Sequence, residues 1–216
     1  MHIIGRPENK VEELLCRLVS LYPNAKPGLN FTNPYQLLIA TILSAQCTDE
    51  RVNKVTEKLF ARYPNPKVLA DACQEELAAQ IRECGLFRNK SKNIIAACRL
   101  LMDDYDGQVP ACREALEKLP GVGRKTASVV LSNAFGIPAI AVDTHVFRVA
   151  NRLGLANAKD VLAAEKQLQQ NIPEELWSQA HHWLIYHGRQ VCKARKPACE
   201  KCNLKDLCGE AISAGR

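Results

Sequence analysis

The chain has 216 residues, 47% of them hydrophobic and 24% charged, with a formal net charge of +6. This composition supports one large or two small folded domains with a real core, and excludes a disordered or low-complexity chain. No apolar run is long enough to cross a bilayer. The first eight residues lack the charged, apolar and small-residue order of an export signal, so the sequence points to the cytoplasm.

Helical periodicity dominates. Val11, Leu14, Leu15, Leu18 and Val19 recur on one helix face. Asn33-Pro34 reads as a cap followed by a proline at the first helical position, opening a helix through Leu37, Leu38, Ala40, Thr41 and Ile42. Further helices are expected at about 49–61, 75–83, 89–105, 112–119, 124–134, 144–152, 160–171 and 174–187, with Pro or Gly at nearly every junction. Residues 137–142 look like a strand but find no partner run, and read as a crossing between helices. The expected fold class is all-α.

Between two amphipathic runs lies Leu119-Pro120-Gly121-Val122-Gly123-Arg124-Lys125. Glycines at this spacing let the backbone reverse and bring its N–H groups close to another surface. The first N–H groups of the following helix lack intrahelical partners and carry the positive end of the dipole, a natural place for a phosphate. By itself the glycine pair describes any tight helical hairpin. Lys125 falls in the first turn of the second helix, where the dipole opposes its charge and favours the free amine. Such an amine attacks a sugar C1′ and can persist as a Schiff base; taken alone, Lys125 reads as a phosphate contact. Asp143, in Val142-Asp143-Thr144-His145, is an N-cap by position and also the carboxylate that glycosidic cleavage needs. His145 reads as a packing or capping residue.

Ten cysteines are many for a reducing compartment. Cys16, Cys47, Cys73, Cys84, Cys98 and Cys112 are scattered through helical patterns and read as small apolar residues. Without an export signal, a disulfide framework is not expected. The other four form Cys192-x6-Cys199-x2-Cys202-x5-Cys208. A CxxC pair alone fits zinc, whereas this compact, uneven spacing better fits a cubane cluster with one thiolate per iron. The loop inside it presents Lys193, Arg195 and Lys196. Residues 186–216 hold seven Lys or Arg against three Asp or Glu, so the basic charge is local and points at phosphate.

Two helix connections add to this. Gln46 sits at a turn where an amide can fill a vacated base position. Leu86 follows Gly85 and precedes Phe87, Arg88, Asn89 and Lys90, an apolar tip beside basic residues, which is the composition of a duplex-unstacking wedge. Each alone is an ordinary helix connection.

Taken together, residues 119–130 with Lys125, the stretch 142–149 with Asp143, and the four-cysteine tail resemble the endonuclease III family, bifunctional DNA glycosylases of the helix–hairpin–helix superfamily. The likeness runs from Glu12 to Cys208. It implies a six-helix barrel domain at 27–137 containing the hairpin, and an iron–sulfur domain built from 1–26 and 138–216. It also implies Lys125 as Schiff-base nucleophile with Asp143 as its catalytic partner, and Cys192, Cys199, Cys202 and Cys208 as ligands of a [4Fe–4S] cluster. Gln46 would fill the orphaned stack and Leu86 would act as the wedge. Gly121, Val122, Gly123, Arg124, Lys193, Arg195 and Lys196 would meet the DNA backbone. The implied reaction removes oxidised or ring-saturated pyrimidines from duplex DNA and cuts the strand 3′ to the abasic site by β-elimination. The implied partner is double-stranded DNA carrying damaged pyrimidines or abasic sites, met by a monomer in the bacterial cytoplasm, associated with the nucleoid. Cys47 falls where relatives commonly carry a small or hydroxylated residue, which suggests an oxidation-sensitive thiol beside the DNA. Lys125 and the end of the chain at Arg216 argue against the adenine-excising mismatch glycosylase. Lys125 together with Asp143 argues against a DNA-binding module without chemistry, and the large helical body argues against a ferredoxin.

Overall fold

The computed structural model describes residues 9–213; the first eight, read above for an export signal, lie outside the described residues. Every regular element among the described residues is a helix, so the fold is all-α. None of these helices is long and apolar enough to cross a membrane. The chain divides into two compact units, one spanning Pro27–Ile137 and the other combining Met1–Lys26 with Pro138–Arg216.

Helix α1 (Lys10–Leu21) starts where the Asn9 side chain accepts the Glu12 N–H, and buries Leu14, Leu15 and Leu18. Asn33 caps α2 (Pro34–Ser44) in the same way. Every side chain of α2 from Leu37 to Leu43 is buried, as expected of a helix at the centre of its unit. Helix α3 (Asp49–Arg62) is capped by Thr48. The single-turn α4 (Pro66–Ala70), outside the helices expected from periodicity, uses Asn65-Pro66, the signal that opens α2. Then come α5 (Gln74–Gln80), α6 (Phe87–Tyr105), α7 (Arg113–Lys118) and α8 (Arg124–Ala134). Helix α6 packs on α4 and α5, while α2 packs on α3, α6 and α8.

The helix expected at 75–83 stops at Gln80 and tightens into a 3-10 turn, Arg82–Cys84, because the chain must then enter Gly85 at φ +69° and Leu86 at φ +47°. Helix α6 begins two residues earlier than expected. Left-handed Leu86 supplies its first carbonyl, to Lys90 N at 3.0 Å.

In the other unit, residues 139–142 are buried and belong to no strand, in keeping with the crossing read from sequence. Helices α9 (Thr144–Leu153), α10 (Val161–Asn171), α11 (Trp177–Gln190) and α12 (Gly209–Ser213) follow. Helix α11 packs on α9 and α1. Their shared core includes Leu14, Leu18, Val146, Val149, Leu153, Leu168, Trp183 and Leu184, each large aliphatic side chain contributing about 1.5–3 kcal/mol through burial. Residues 174–176 form a 3-10 turn rather than the start of α11, and α11 runs three residues past the expected end. Gly188 falls within that extension. A Cβ there would sit 3.0 Å from Val149 Cγ2 and 3.2 Å from His145 Cβ, so the missing side chain is what lets α9 and α11 approach.

Candidate nucleic-acid interface and metal centre

The hairpin joins α7 to α8. Gly121 takes φ +82°, and a Cβ on it would meet Asn93 Cβ at 3.0 Å, so both conformation and packing require glycine. Gly123 is different. Its backbone is extended (φ −101°), and a Cβ there would meet open space. Nothing in the packing around Gly123 requires glycine there, although glycine is a favoured residue at an N-cap. Helix α8 opens on Gly123 with no side-chain cap, as do α5, α6, α7 and α11, whereas α1, α2, α3, α9 and α10 have one. The first-turn N–H groups of a helix carry the positive end of its dipole. Gly123, Arg124 and Lys125 are exposed, with Lys125 at the second position of α8. Val122 instead turns inward at 6% exposure and donates its N–H to Leu119 O at 3.0 Å. It anchors the turn between the two glycines. Arg113 braces the hairpin, its Nη1 donating to Ser128 Oγ at 3.0 Å and to Arg124 O at 3.4 Å. Sequence reasoning missed this brace, since nothing in the motif distinguishes Arg113 from a surface residue.

Four non-glycine residues among those described occupy the left-handed region: Gln46, Leu86, Asp106 and Lys196. Asp106 terminates α6. The other three are residues the sequence singled out for DNA, and all three are exposed, Leu86 by 54%. Such a backbone costs about 1–3 kcal/mol per residue and persists only where its surroundings impose it. For Gln46 and Leu86 the surroundings are Lys90. Read from sequence as one of the basic residues flanking the wedge, Lys90 is only 5% exposed. Its Nζ donates to Leu43 O at 2.8 Å, Ala45 O at 2.7 Å and Cys84 O at 2.8 Å. Burial lowers its pKa, opposed by the nearby Cys84 and Cys47 thiols. Burial, with the hydrogen-bonded Cys47 beside it, pushes the Cys84 thiol up to about 12.

Asp143 is the N-cap of α9. One carboxylate oxygen accepts both the His145 and Val146 N–H groups at 2.8 Å, which fixes the side chain and leaves its second oxygen for other work. His181 holds the preceding crossing, with Nδ1 2.6 Å from Ala141 O. His145 packs beside Gly188 and lies 3.2 Å from Arg148 Nη2, the packing role read from sequence.

The tail folds as two 3-10 turns, Cys199–Lys201 and Lys205–Leu207, which set Cys199, Cys202 and Cys208 in order, while the Cys192 N–H bonds to His187 O at the end of α11. All four thiols line one cavity, with Arg152, His187, Val191, Pro197, Ala198 and Ala211 among its walls. No three His, Cys, Asp or Glu side chains among the described residues converge on a point that would hold a single ion. Four thiols set around a cavity suit a polynuclear cluster better than zinc. Burial raises the Cys202 pKa, and the Cys208, Cys192 and Cys199 charges add to the effect, a tension that a cationic iron core relieves. Donors face the sulfurs: Arg152 Nη1 is 3.6 Å from Cys192 Sγ, and His187 Nε2 is 3.7 Å from Cys202 Sγ. Buried His187 has its pKa lowered to about 4, and its Nδ1 lies 3.0 Å from the Tyr22 hydroxyl. Tyr22, raised to about 12 chiefly by burial, keeps its proton; when that hydroxyl donates to Nδ1, the imidazole N–H faces Cys202. Between Cys192 and Cys199 the side chains of Lys193, Arg195 and Lys196 are exposed. Arg152 holds the Lys193 carbonyl at 2.8 Å and that of Ala194 at 3.4 Å; Arg148 holds Cys192 O at 3.1 Å and Gly188 O at 3.0 Å.

Residues 39–174 match the HhH-GPD superfamily of base excision DNA repair proteins, and residues 192–208 match the iron–sulfur binding domain of endonuclease III. The chain is 51% identical to endonuclease III of Synechocystis sp., the match covering 94% of each chain. It is 49% identical to endonuclease III of Escherichia coli K12, over 91% of this chain and 93% of that one. Among solved structures, a trapped endonuclease III–DNA covalent intermediate superposes with a TM-score of 0.91 at 48% identity, covering 98% of this chain and all of that one. The chain belongs to the helix–hairpin–helix superfamily of base excision DNA repair proteins and, within it, to the endonuclease III family of DNA glycosylase/AP lyases, which carry a [4Fe–4S] cluster.

Proposed function

We propose that this DNA glycosylase removes oxidised or ring-saturated pyrimidines from duplex DNA through a Schiff base on Lys125, then cuts the strand 3′ to the abasic site. The observation that carries the reading is the N-terminus of α8, where Gly123 places no side chain over the first-turn N–H groups and Lys125 is exposed in the same turn. A phosphate bound to those N–H groups brings a neighbouring sugar within reach of the amine. Lys125 Nζ attacks C1′, and the base leaves with the glycosidic electron pair and gains a proton. The C1′–O4′ ring bond then breaks, O4′ gaining a proton and the nitrogen lone pair forming the C=N bond, which leaves an imine that acidifies the C2′ hydrogen. Removal of that hydrogen expels the 3′ phosphate and breaks the C3′–O bond. Asp143, oriented by its two amide contacts, supplies the carboxylate that stabilises positive charge on the sugar and assists deprotonation of the amine.

In the same reading Gln46 fills the emptied stack and Leu86 wedges the duplex, while Gly121, Gly123, Arg124, Lys193, Arg195 and Lys196 meet phosphates. Cys192, Cys199, Cys202 and Cys208 hold the cluster, which when bound ties four chain positions into one rigid frame. Pro27–Ile137 serves as the barrel domain bearing the hairpin, and Met1–Lys26 with Pro138–Arg216 as the cluster domain. In this reading the working form is a monomer on double-stranded DNA in the cytoplasm, the DNA partner being supported by the solved endonuclease III–DNA complexes that the chain resembles.

Borohydride trapping on a duplex with one thymine glycol tests the chemistry. A covalent adduct with wild type and none with Lys125→Ala is expected. An adduct with both moves the nucleophile elsewhere, and base release without any adduct means that water attacks.

A further inference from the structure

Lys90 is buried in a unit whose other buried residues are almost all apolar, yet its ammonium has a hydrogen-bond acceptor for each of its three protons. Two of the acceptors, Leu43 O and Ala45 O, lie at the C-terminal end of α2, where carbonyls lack helical partners and a cation is favoured. The third, Cys84 O, closes the 3-10 turn ahead of Gly85 and Leu86. One side chain therefore fixes two segments about forty residues apart in sequence. Each segment is followed directly by a left-handed, exposed residue, Gln46 after Ala45 and Leu86 after Gly85. Lys90 comes from the first turn of α6, which Leu86 itself starts. No other described lysine makes a comparable set of buried bonds to backbone.

We propose that Lys90 is a positioning residue for base extrusion, clamping the Gln46 turn to the Leu86 turn so that both side chains enter the duplex stack together. The inference rests on the reading that Gln46 and Leu86 enter the stack. Two separately mobile turns would have to be ordered on the DNA, one after the other, whereas clamped turns carry that cost in the folded protein. The point geometry of an ammonium suits three carbonyls converging from different elements; a planar guanidinium does not.

The test uses the cluster-loaded full chain on two duplexes, one with a thymine glycol flanked by 2-aminopurine and one with a preformed abasic site, under single-turnover conditions. The variants are Lys90→Met, which removes the donors but keeps the stem, and Lys90→Arg, which keeps the charge and several donors. Extrusion is read as the 2-aminopurine fluorescence rise. We expect Lys90→Met to slow extrusion and base release 30-fold or more, with affinity for undamaged duplex within 2-fold. Strand cleavage at the abasic site, where no pairing has to be broken, should slow by less than 5-fold. Lys90→Arg should lie between the two, and Lys90→Met should add less than 2-fold in a Gln46→Ala, Leu86→Ala background. Extrusion unchanged in Lys90→Arg, or equal slowing on both duplexes, overturns the clamp. If Lys90→Met does not fold, the Lys90→Arg comparison decides alone. Should Gln46→Ala and Leu86→Ala leave extrusion intact, the intercalation reading fails. Should they slow it while the Lys90 effect stays fully multiplicative, only the clamp fails.

Discussion

Two surface segments of this protein are built by the same device with different parts. In the unit spanning Pro27–Ile137, a buried ammonium grips the backbone behind Gln46 and Leu86. In the unit that holds the cysteines, two guanidiniums on α9 grip the backbone behind Lys193, Arg195 and Lys196. Both present strained left-handed residues outward, and both hold backbone carbonyls to do so. The difference lies in what completes each brace. Lys90 needs only protein, and one point charge joins two distant turns. Arg148 and Arg152 hold a single loop whose ends are cysteines, so that loop also depends on what the thiols bind. The first segment is set by folding alone, the second by folding and metallation together.

The largest expected effect separates them by that dependence. Removing the cluster from folded protein should lower affinity for an abasic-analogue duplex by about 10- to 100-fold and reduce the salt slope by nearly three, as three phosphate contacts are lost. Anisotropy titrations at several salt concentrations measure both. An unchanged slope would mean the 193–196 loop does not touch phosphate. Next, Arg152→Met frees two loop carbonyls and the Glu210 ion pair. It should destabilise the cluster unit by about 3 kcal/mol in urea melts and weaken DNA binding severalfold, with Lys125 trapping on bound substrate unaffected. A melt that matches wild type would mean the loop is held by the thiols alone.

Acid should also distinguish the units. All five histidines fall outside residues 27–137. Burial, with His181 next to it, lowers the His182 pKa to about 3. A base kept neutral in the fold and protonated when unfolded gives full stability above pH 6.5, and that stability drains as pH falls towards 3, by at most about 1.4 kcal/mol per pH unit. Melts of His182→Asn should show a flatter pH dependence over that window, and an identical slope would place the acid sensitivity elsewhere. A smaller effect comes from relieving strain. Lys196→Gly should gain no more than about 1 kcal/mol in stability and lose two- to threefold in affinity, while Leu86→Gly should gain as much and lose extrusion. If neither gains stability, the left-handed backbone is not strained. Smallest of all, Cys47→Ala should keep normal activity and lose part of any peroxide sensitivity. Undiminished sensitivity would point to another thiol.

Much of this was legible in the chain. Asn33-Pro34, the glycines of the hairpin and the cysteine spacing are local signals whose physics does not depend on the rest of the fold. Lys90 was not legible, because a lysine two residues from an arginine near a turn reads as a solvated or phosphate-facing charge. A signal was present all the same: Lys90 lies on the apolar stripe of α6 with Ile94, Ala97, Cys98 and Leu101, where a cation belongs only if it is paired. The hairpin brace through Arg113 and Ser128, and the imidazole turned towards Cys202, depend on contacts across many residues that no spacing rule encodes. Gly123 is the opposite case, a residue legible in the sequence that the packing of the folded chain does not require.

The pairing of α1 with α11 has a consequence for how the protein is made. These helices pack together although 155 residues separate Leu21 from Trp177. At about 5–20 residues per second, a ribosome needs on the order of ten to thirty seconds to cover that stretch. Throughout that interval Leu14, Leu15 and Leu18 have been made but their partner helix has not. The unit between them can fold in the meantime, while α1 waits as an exposed apolar ribbon, the part of the nascent chain with most need of a chaperone.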